Sequence, residues 1–228
     1  MTNDSPIFVA GATGGTGSHA VSKLLERGVP VRGLVRDADK GREAFGDRIE
    51  VVVGDTRQPE TFASAVAGCS ALICTTGAQA SKGGVPEEVE YQGVKNLVEA
   101  AKTAGVGQFV LVSSIGTTKL DHRLNQIFDN ILMWKLRGED TVRESGIPYT
   151  VVRPGGLRDD PGGERAITLG QGDEISGAIS REDVAEVCLR ALDHEGARGV
   201  TFETIHAETV GPSTDWAELF APLRKDPL

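Results

Sequence analysis

Ile7-Phe8-Val9-Ala10-Gly11-Ala12-Thr13-Gly14-Gly15-Thr16-Gly17 decides how this chain is read. An apolar run enters a glycine-rich turn, and the turn opens a segment with helical spacing around Val21, Leu24 and Leu25. Strand, turn and helix start, in that order, form the entrance to a dinucleotide-binding fold. The glycines have a chemical reason: a pyrophosphate rests on bare backbone N–H groups at the positive end of a helix. A Cβ at Gly11 would strain the turn, and one at Gly14 would hold a phosphate away. One at Gly17 would push the helix off the sheet. Thr13, Gly15 and Thr16 complete the expected cradle. The spacing is G-x-x-G-x-x-G, one residue wider at its start than the usual fingerprint, and an ordinary strand-to-helix turn is the alternative.

Outward from this turn the pattern repeats. Apolar, β-branched runs lie at Ile7–Ala10, Val31–Val35, Ile49–Val53, Ala71–Thr75, Phe109–Val112 and Tyr149–Val152. Helical spacing fills the gaps at Thr16–Arg27, Ala38–Phe45, Pro59–Ala67, Glu87–Ala104 and Leu124–Ser145. Strands without strict alternation are buried on both faces, so the expectation is an α/β protein with a doubly wound parallel sheet and helices on both sides. Gly28, Gly105 and Gly146 stand where left-handed helix caps belong. After Val152 the regularity fades into a loop-rich, mobile stretch through Pro154-Gly155-Gly156 and Asp159–Gly163. A helix at Arg181–Leu192 capped by Ser180, a strand at Gly199–Ile205 and a short helix near Thr214–Phe220 follow. The 228 residues suit one domain, 1–228, with no repeat or linker.

A formal charge of −9 disfavours nucleic acid and anionic membrane surfaces as partners. No stretch is long enough to cross a bilayer, and a strand starting by Pro6 or Ile7 leaves no room for a secretory signal. Cys69, Cys74 and Cys188 lack a CxxC pairing and read as buried thiols of a reducing, cytoplasmic setting. Asn3-Asp4-Ser5 fits a glycosylation pattern that has no meaning without export. The four histidines show no ligand spacing, no metal is expected, and Asp159-Asp160 reads as a solvated turn.

In an open α/β sheet the ligand lies beyond the carboxyl ends of the strands. Arg36 ends the second strand nineteen positions after Gly17, where an acid would select NAD; an arginine there pairs instead with a 2′-phosphate. Lys40 and Arg42 add charge, while Asp37 could still reach a ribose. Gly54 permits close approach of a flat base, and Asp55 either accepts from an adenine amine or closes an Asx turn. Thr75, Thr76 and Gly77 suit the central phosphates and ribose. Ser113 and Ser114 end the fifth strand, placed to bond a reacting carbonyl or to cap the next segment.

Together these residues resemble the short-chain dehydrogenase/reductase superfamily, in particular its atypical single-domain branch of NAD(P)H-binding, NmrA-like and biliverdin-reductase-B-like proteins. The resemblance runs from Ile7 to at least Ile205. Its landmarks are Gly11–Gly17, Gly54-Asp55, Gly93-x-Lys95-Asn96, Val112-Ser113-Ser114, Trp134-Lys135, the stretch from Tyr149 to Leu157, and Ile179 to Ala185. It implies Ser114 and Lys135 as catalytic residues, with Lys135 also holding the nicotinamide ribose. Pro154, Gly155, Gly156 and Leu157 would border the nicotinamide ring, with Ser113 beside the cofactor.

One position departs from that pattern. The catalytic tyrosine belongs four residues before the lysine, and Ile131 stands there. Isoleucine cannot donate a proton. Tyr91-Gln92-Gly93-Val94-Lys95 matches Y-x-x-x-K but precedes the serine strand, so Tyr91 reads as packing or rim; Tyr149 reads as core. Trp134 either walls the nicotinamide pocket or is buried on its helix, and Asp121 or His122 could approach a substrate.

The expectation is therefore an NADPH-dependent oxidoreductase, with NADPH preferred over NADH. Its acceptor is a small molecule: a carbonyl, quinone, flavin or tetrapyrrole met in the loops after Ser114 and Leu157. A noncatalytic NADP(H) sensor or scaffold is the first alternative, and a sugar-nucleotide epimerase or dehydratase the second. The chain is expected to be a monomer or a homodimer, the latter through Ile127, Phe128, Ile131 and Leu132.

Overall fold

A computed structural model describes residues 5–79, 83–211 and 215–227. Asn3 and Asp4 of the glycosylation triplet, and Thr214 at the expected start of the last helix, lie outside the described residues. Strand β1 (Ile7–Ala10) leads through the glycine turn into α1 (Gly15–Glu26), followed by β2 (Val31–Val35), α2 (Ala38–Phe45) and β3 (Glu50–Val53). Next come β4 (Ala71–Cys74), α3 (Val94–Ala104), β5 (Phe109–Val112), α4 (Arg123–Ile127), α5 (Ile131–Arg143) and β6 (Tyr149–Pro154). The chain continues with β7 (Gly156–Arg158), β8 (Arg165–Gly170), β9 (Ala178–Ser180), α6 (Arg181–Asp193), β10 (Val200–Val210) and α7 (Trp216–Phe220).

The main sheet has eight strands in the order β3-β2-β1-β4-β5-β6-β10-β8. All its neighbours pair parallel except β8, which runs antiparallel to β10. The expected doubly wound α/β fold is present. Alternate strand residues feed two cores: Ile7 and Val9 join Val21, Leu24, Val184 and Leu189 on one face, and Phe8 and Ala10 join Phe62, Leu97, Val98 and Val142 on the other. Burial of both faces explains why these strands read as apolar runs without alternation. Helices α1 and α6 cover one face, with α3 and α5 on the other. Gly28, Gly105 and Gly146 carry φ of +70°, +68° and +78°, as a left-handed cap requires.

Three expectations fail. Pro59–Ala67 forms two short 3-10 turns, Pro59–Thr61 and Ala63–Val66, in place of a helix. The long helix expected at Leu124–Ser145 is broken at Asp129 and Asn130, which adopt left-handed φ of 47° and 56°. Asn125 explains the new start: its side-chain oxygen accepts from the N–H groups of Leu132 and Met133. Third, the stretch after Val152 is only partly loop: residues 159–163 carry no helix or strand, as expected, but β6 runs on to Pro154 and Gly156–Arg158 forms β7, which pairs with β9, while β8 follows along the sheet edge.

This last region matters for position. β6 accompanies β10 only through Thr204, whereas β8 accompanies it from Glu203 to Val210. The upper half of β10 therefore stands beyond the carboxyl ends of the parallel strands with β8 beside it. It forms a raised wall on the ligand side.

Candidate functional site

A cleft of about 480 Å³ opens at the carboxyl ends of β1, β2, β3 and β4. The glycine turn forms its floor. Gly11 holds φ of +83°, and a Cβ there would come within 2.9 Å of Thr75 Oγ1. A Cβ at Gly17 would collide with the Gly11 carbonyl oxygen, so the third glycine lets the helix return against the turn. At Gly14 a Cβ would meet only the Gly11 carbonyl oxygen, at 3.1 Å, and would otherwise point into the open cleft. Gly14 N–H donates to Gly11 O at 2.8 Å, whereas the N–H groups of Gly15, Thr16 and Gly17 have no acceptor among the described residues. Those free donors sit at the positive end of α1, an arrangement that fits a diphosphate. Gly11, Thr13 and Gly14 line the cleft directly, and Thr16 and Gly17 are buried behind them.

The end of the cleft expected to take an adenosine is charged. Arg36 and Lys40 line the cleft, and Arg36, exposed, makes no hydrogen bond or ion pair among the described residues. Asp37 is otherwise engaged: its Oδ1 accepts from the N–H groups of Asp39 and Lys40 and caps α2. Arg42 points away and pairs with Asp39. Asp55 lines the cleft but is gripped by Arg57, whose Nε and backbone N–H both donate to Oδ1 and whose Nη2 donates to Oδ2. The hydrogen bond from the Arg57 side chain holds the Asp55 carboxyl below its usual range. The Asx turn is thus formed, and adenine would meet a carboxylate already partnered. Gly54 is needed for Thr61, whose Oγ1 lies 2.5 Å from where a Cβ would stand.

Further along, Thr75, Thr76 and Gly77 line the cleft as expected. Their hydroxyls are partly committed: Thr75 Oγ1 donates to Ala10 O at 2.9 Å, and Thr76 Oγ1 lies 3.2 Å from Cys74 Sγ. Cys69, Cys74 and Cys188 are free and buried, and desolvation pushes the Cys188 thiol up to about 12.

The residues assigned to the nicotinamide half lie outside the cleft lining, around the ends of β5 and β6. Ser114 Oγ donates to the Ile115 carbonyl at 3.0 Å. Ser113 is buried, and its Oγ donates to Glu139 Oε1 at 2.5 Å, away from the cleft. Ile131 opens α5, and one turn later Lys135 Nζ donates to Glu90 Oε2 at 2.8 Å. Pro154 ends β6, while Gly155 and Gly156 are pinned by N–H bonds to Thr204 O and Gly177 O. Leu157 is exposed on β7. Tyr91 stacks on Trp134, with ring centroids 6.1 Å apart and planes inclined by 23°, and both are half-buried. Tyr149 donates to Asp226 Oδ2 and is only half-buried. His122 caps α4, and Asp159 and Asp160 pair with Arg181 and Arg158.

Sequence reasoning missed Arg57, Glu90 and Arg181. Arg181 opens α6 and lies over Gly15, its Cδ 2.6 Å and its Nε 2.9 Å from where a Cβ would stand, so it brings a guanidinium beside the glycine turn. In the sequence its stretch reads only as a helix start. Glu90 follows two other glutamates and reads as part of a solvated face.

The chain matches the family described as NAD(P)H-binding over residues 11–195. It is 35% identical to sanguinarine reductase of Eschscholzia californica, covering 94% of each chain. It is 39% identical to an uncharacterized chloroplastic protein of Arabidopsis thaliana, over 96% of this chain and 75% of that one. Among solved structures, a Bacillus halodurans protein provisionally described as an NAD-dependent epimerase/dehydratase superposes with a TM-score of 0.78. It is 28% identical, with 90% of this chain and 96% of that one covered. The glycine turn, the free helix-start amides and these matches agree: the chain belongs to the NAD(P)H-binding family of Rossmann-fold proteins.

Proposed function

We propose that the protein is an NADPH-dependent reductase that delivers hydride to a small acceptor such as a carbonyl, quinone, flavin or tetrapyrrole. One observation carries the reading: free amides of Gly15, Thr16 and Gly17 at the head of a cleft whose far end presents Arg36 and Lys40. The amides suit a diphosphate, and the two cations suit a 2′-phosphate, while Asp37, which also lines the cleft, has one oxygen engaged in its α2 cap and the other 3.8 Å from Lys40 Nζ. When bound, the dinucleotide supplies the hydride itself.

The chain's own residues bind, orient and shield. Gly11–Gly17 hold the diphosphate, Arg36 and Lys40 the 2′-phosphate, and Thr75–Gly77 the middle of the molecule. Lys135 meets the nicotinamide ribose, Ser114 orients the acceptor, and Pro154–Leu157 with the β8–β10 wall keep water from the transfer. Because Ile131 offers no proton, the proton comes from solvent or from the Lys135 ammonium, which suits an acceptor that tolerates late protonation. The similarity to sanguinarine reductase supports reduction over epimerisation.

A noncatalytic NADP(H) sensor is the second reading, and Ile131 is the observation in its favour. Purified protein offered NADPH with quinones, flavins and small carbonyls separates the two. Oxidation of NADPH supports the reductase, and silence across the panel with tight NADPH binding supports the sensor. We further propose a reducing, cytoplasm-like compartment, in keeping with the free thiols, and no nucleic acid or membrane partner. No helix among the described residues is long and apolar enough to cross a membrane. For a homodimer, the expected face is revised: Leu132 is buried, and Ile127 at the end of α4 and Phe128 just after it remain exposed. Light scattering on the purified chain decides between monomer and dimer.

A further inference from the structure

Residues Glu87–Gly93 wind as a π-helix before α3 begins. Such wide turns are uncommon and gather where a side chain must be re-aimed. Here Glu87 and Glu88 remain exposed while Glu90 is carried inward, to 3% exposure. A buried carboxylate needs partners, and Glu90 has them on both oxygens. Oε1 accepts from the Ala78 N–H at 2.6 Å, and Oε2 accepts from Lys135 Nζ at 2.8 Å.

Two glycines make the arrangement possible. A Cβ at residue 138 of α5 would collide with the Glu90 carbonyl oxygen, and one at Gly93 would come within 2.6 Å of Thr56 Oγ1. The turn is therefore wedged tightly between α5 and the loop after β3. Its carboxylate joins the wall of the cleft at Gly77-Ala78 to the lysine on α5. Only one of the three ammonium donors of Lys135 is used by Glu90, which leaves two for a ligand.

We propose that Glu90 is a positioning residue for the nicotinamide end of the cofactor: it fixes the Lys135 ammonium against the cleft wall so that it meets the ribose hydroxyls in one place. The proposal rests on the reading of the cleft as an NADPH site. Glu90 itself touches no cofactor atom in this scheme and acts through Lys135.

Calorimetric titration with two ligands tests it. NADPH spans both halves of the cleft, whereas adenosine 2′,5′-bisphosphate carries the adenosine half and no nicotinamide riboside. Wild type, Glu90→Gln, Lys135→Met and the double variant are compared, with thermal melts confirming that each is folded. Glu90→Gln is expected to weaken NADPH about tenfold or more and to leave the bisphosphate within about twofold. The double variant is expected to be no worse than Lys135→Met alone, since the two residues act as a unit. If Glu90→Gln does not fold, Glu90→Asp, whose carboxylate falls one methylene short, takes its place with the same expected split.

Equal loss of both ligands, or unchanged NADPH affinity, overturns the role of Glu90 and leaves it a structural residue. If wild type binds neither ligand, the cofactor reading itself falls, and this proposal with it. If wild type binds both and the variants do not discriminate, only the Glu90 proposal falls.

Discussion

Arg153 on β6 grips Glu139 on α5 through two hydrogen bonds, Nε to Oε1 at 3.0 Å and Nη2 to Oε2 at 2.6 Å, with both side chains shut off from water. Ser113 Oγ is a second donor to Oε1, and Arg143 Nη2 a second donor to Oε2 at 2.7 Å. The pair ties the strand end that carries Pro154 to the helix that carries Lys135. Removing one partner strands a buried charge, which costs about 3–5 kcal/mol. We expect Glu139→Ala to lose about that much stability in urea unfolding, and more than Asp140→Ala on the exposed side of the same helix.

Two acids near Arg153 titrate in opposite senses. Burial pushes Asp173 up, but hydrogen bonds from Gly116 N–H and from the hydroxyl and N–H of Thr118, with the Arg153 charge, bring it below its ordinary 3.8. Its contribution to stability is complete above that value and drains as pH falls further. Burial lifts Glu203 above its ordinary 4.5 against the pull of Arg153, whose Nη1 stands 3.6 Å away, too far for a hydrogen bond. Glu203 therefore loses stability for the fold as pH rises from 4.5 through its raised value. Thermal melts should show Asp173→Asn lowering Tm at neutral pH and flattening the acid limb. Glu203→Gln should raise Tm at neutral pH.

Gly14 and Gly17 should separate binding from folding. Gly17→Ala drives a methyl into the Gly11 carbonyl, so a stability loss of about 1–3 kcal/mol should accompany the loss of NADPH binding. Gly14→Ala meets only one neighbour in the fold and points into the cleft, so Tm should barely move while NADPH affinity falls steeply. Fluorescence titration alongside melting curves reads both quantities.

Arg36→Ala should cost NADPH about ten- to a hundredfold in affinity and leave NADH nearly unchanged, because a charge-assisted bond to phosphate contributes about 1.5–3 kcal/mol. An equal effect on both cofactors would remove the 2′-phosphate from the account.

What could be read in advance follows the range of the interactions. The turn at Gly11–Gly17, the strands feeding two cores and the left-handed caps are local patterns, and the sequence displays them directly. The break at Asn130 depends on Asn125 turning back to the amides of Leu132 and Met133, seven and eight residues on, and apolar spacing does not record that. β7, β8 and β9 were illegible because two of them are only three residues long, β8 stands between glycine-rich, charged stretches, and their partners lie far along the chain. Glu90 was hidden for a related reason. An acid in an acidic run shows its burial only once the π-helix, Gly138 and Lys135 are brought together.

The outer end of β10, with β8 as its companion, has an evolutionary reach. β6 follows β10 only to Thr204, and although His206 is tied to Asp183 and Ser180 at the start of α6, Glu208, Thr209 and Val210 beyond it are exposed, so new side chains at those three positions leave the glycine turn undisturbed. Under the proposed reductase reading, a lineage could thereby retune its acceptor by rewriting one strand tip, keeping the electron supply constant while the clientele changes.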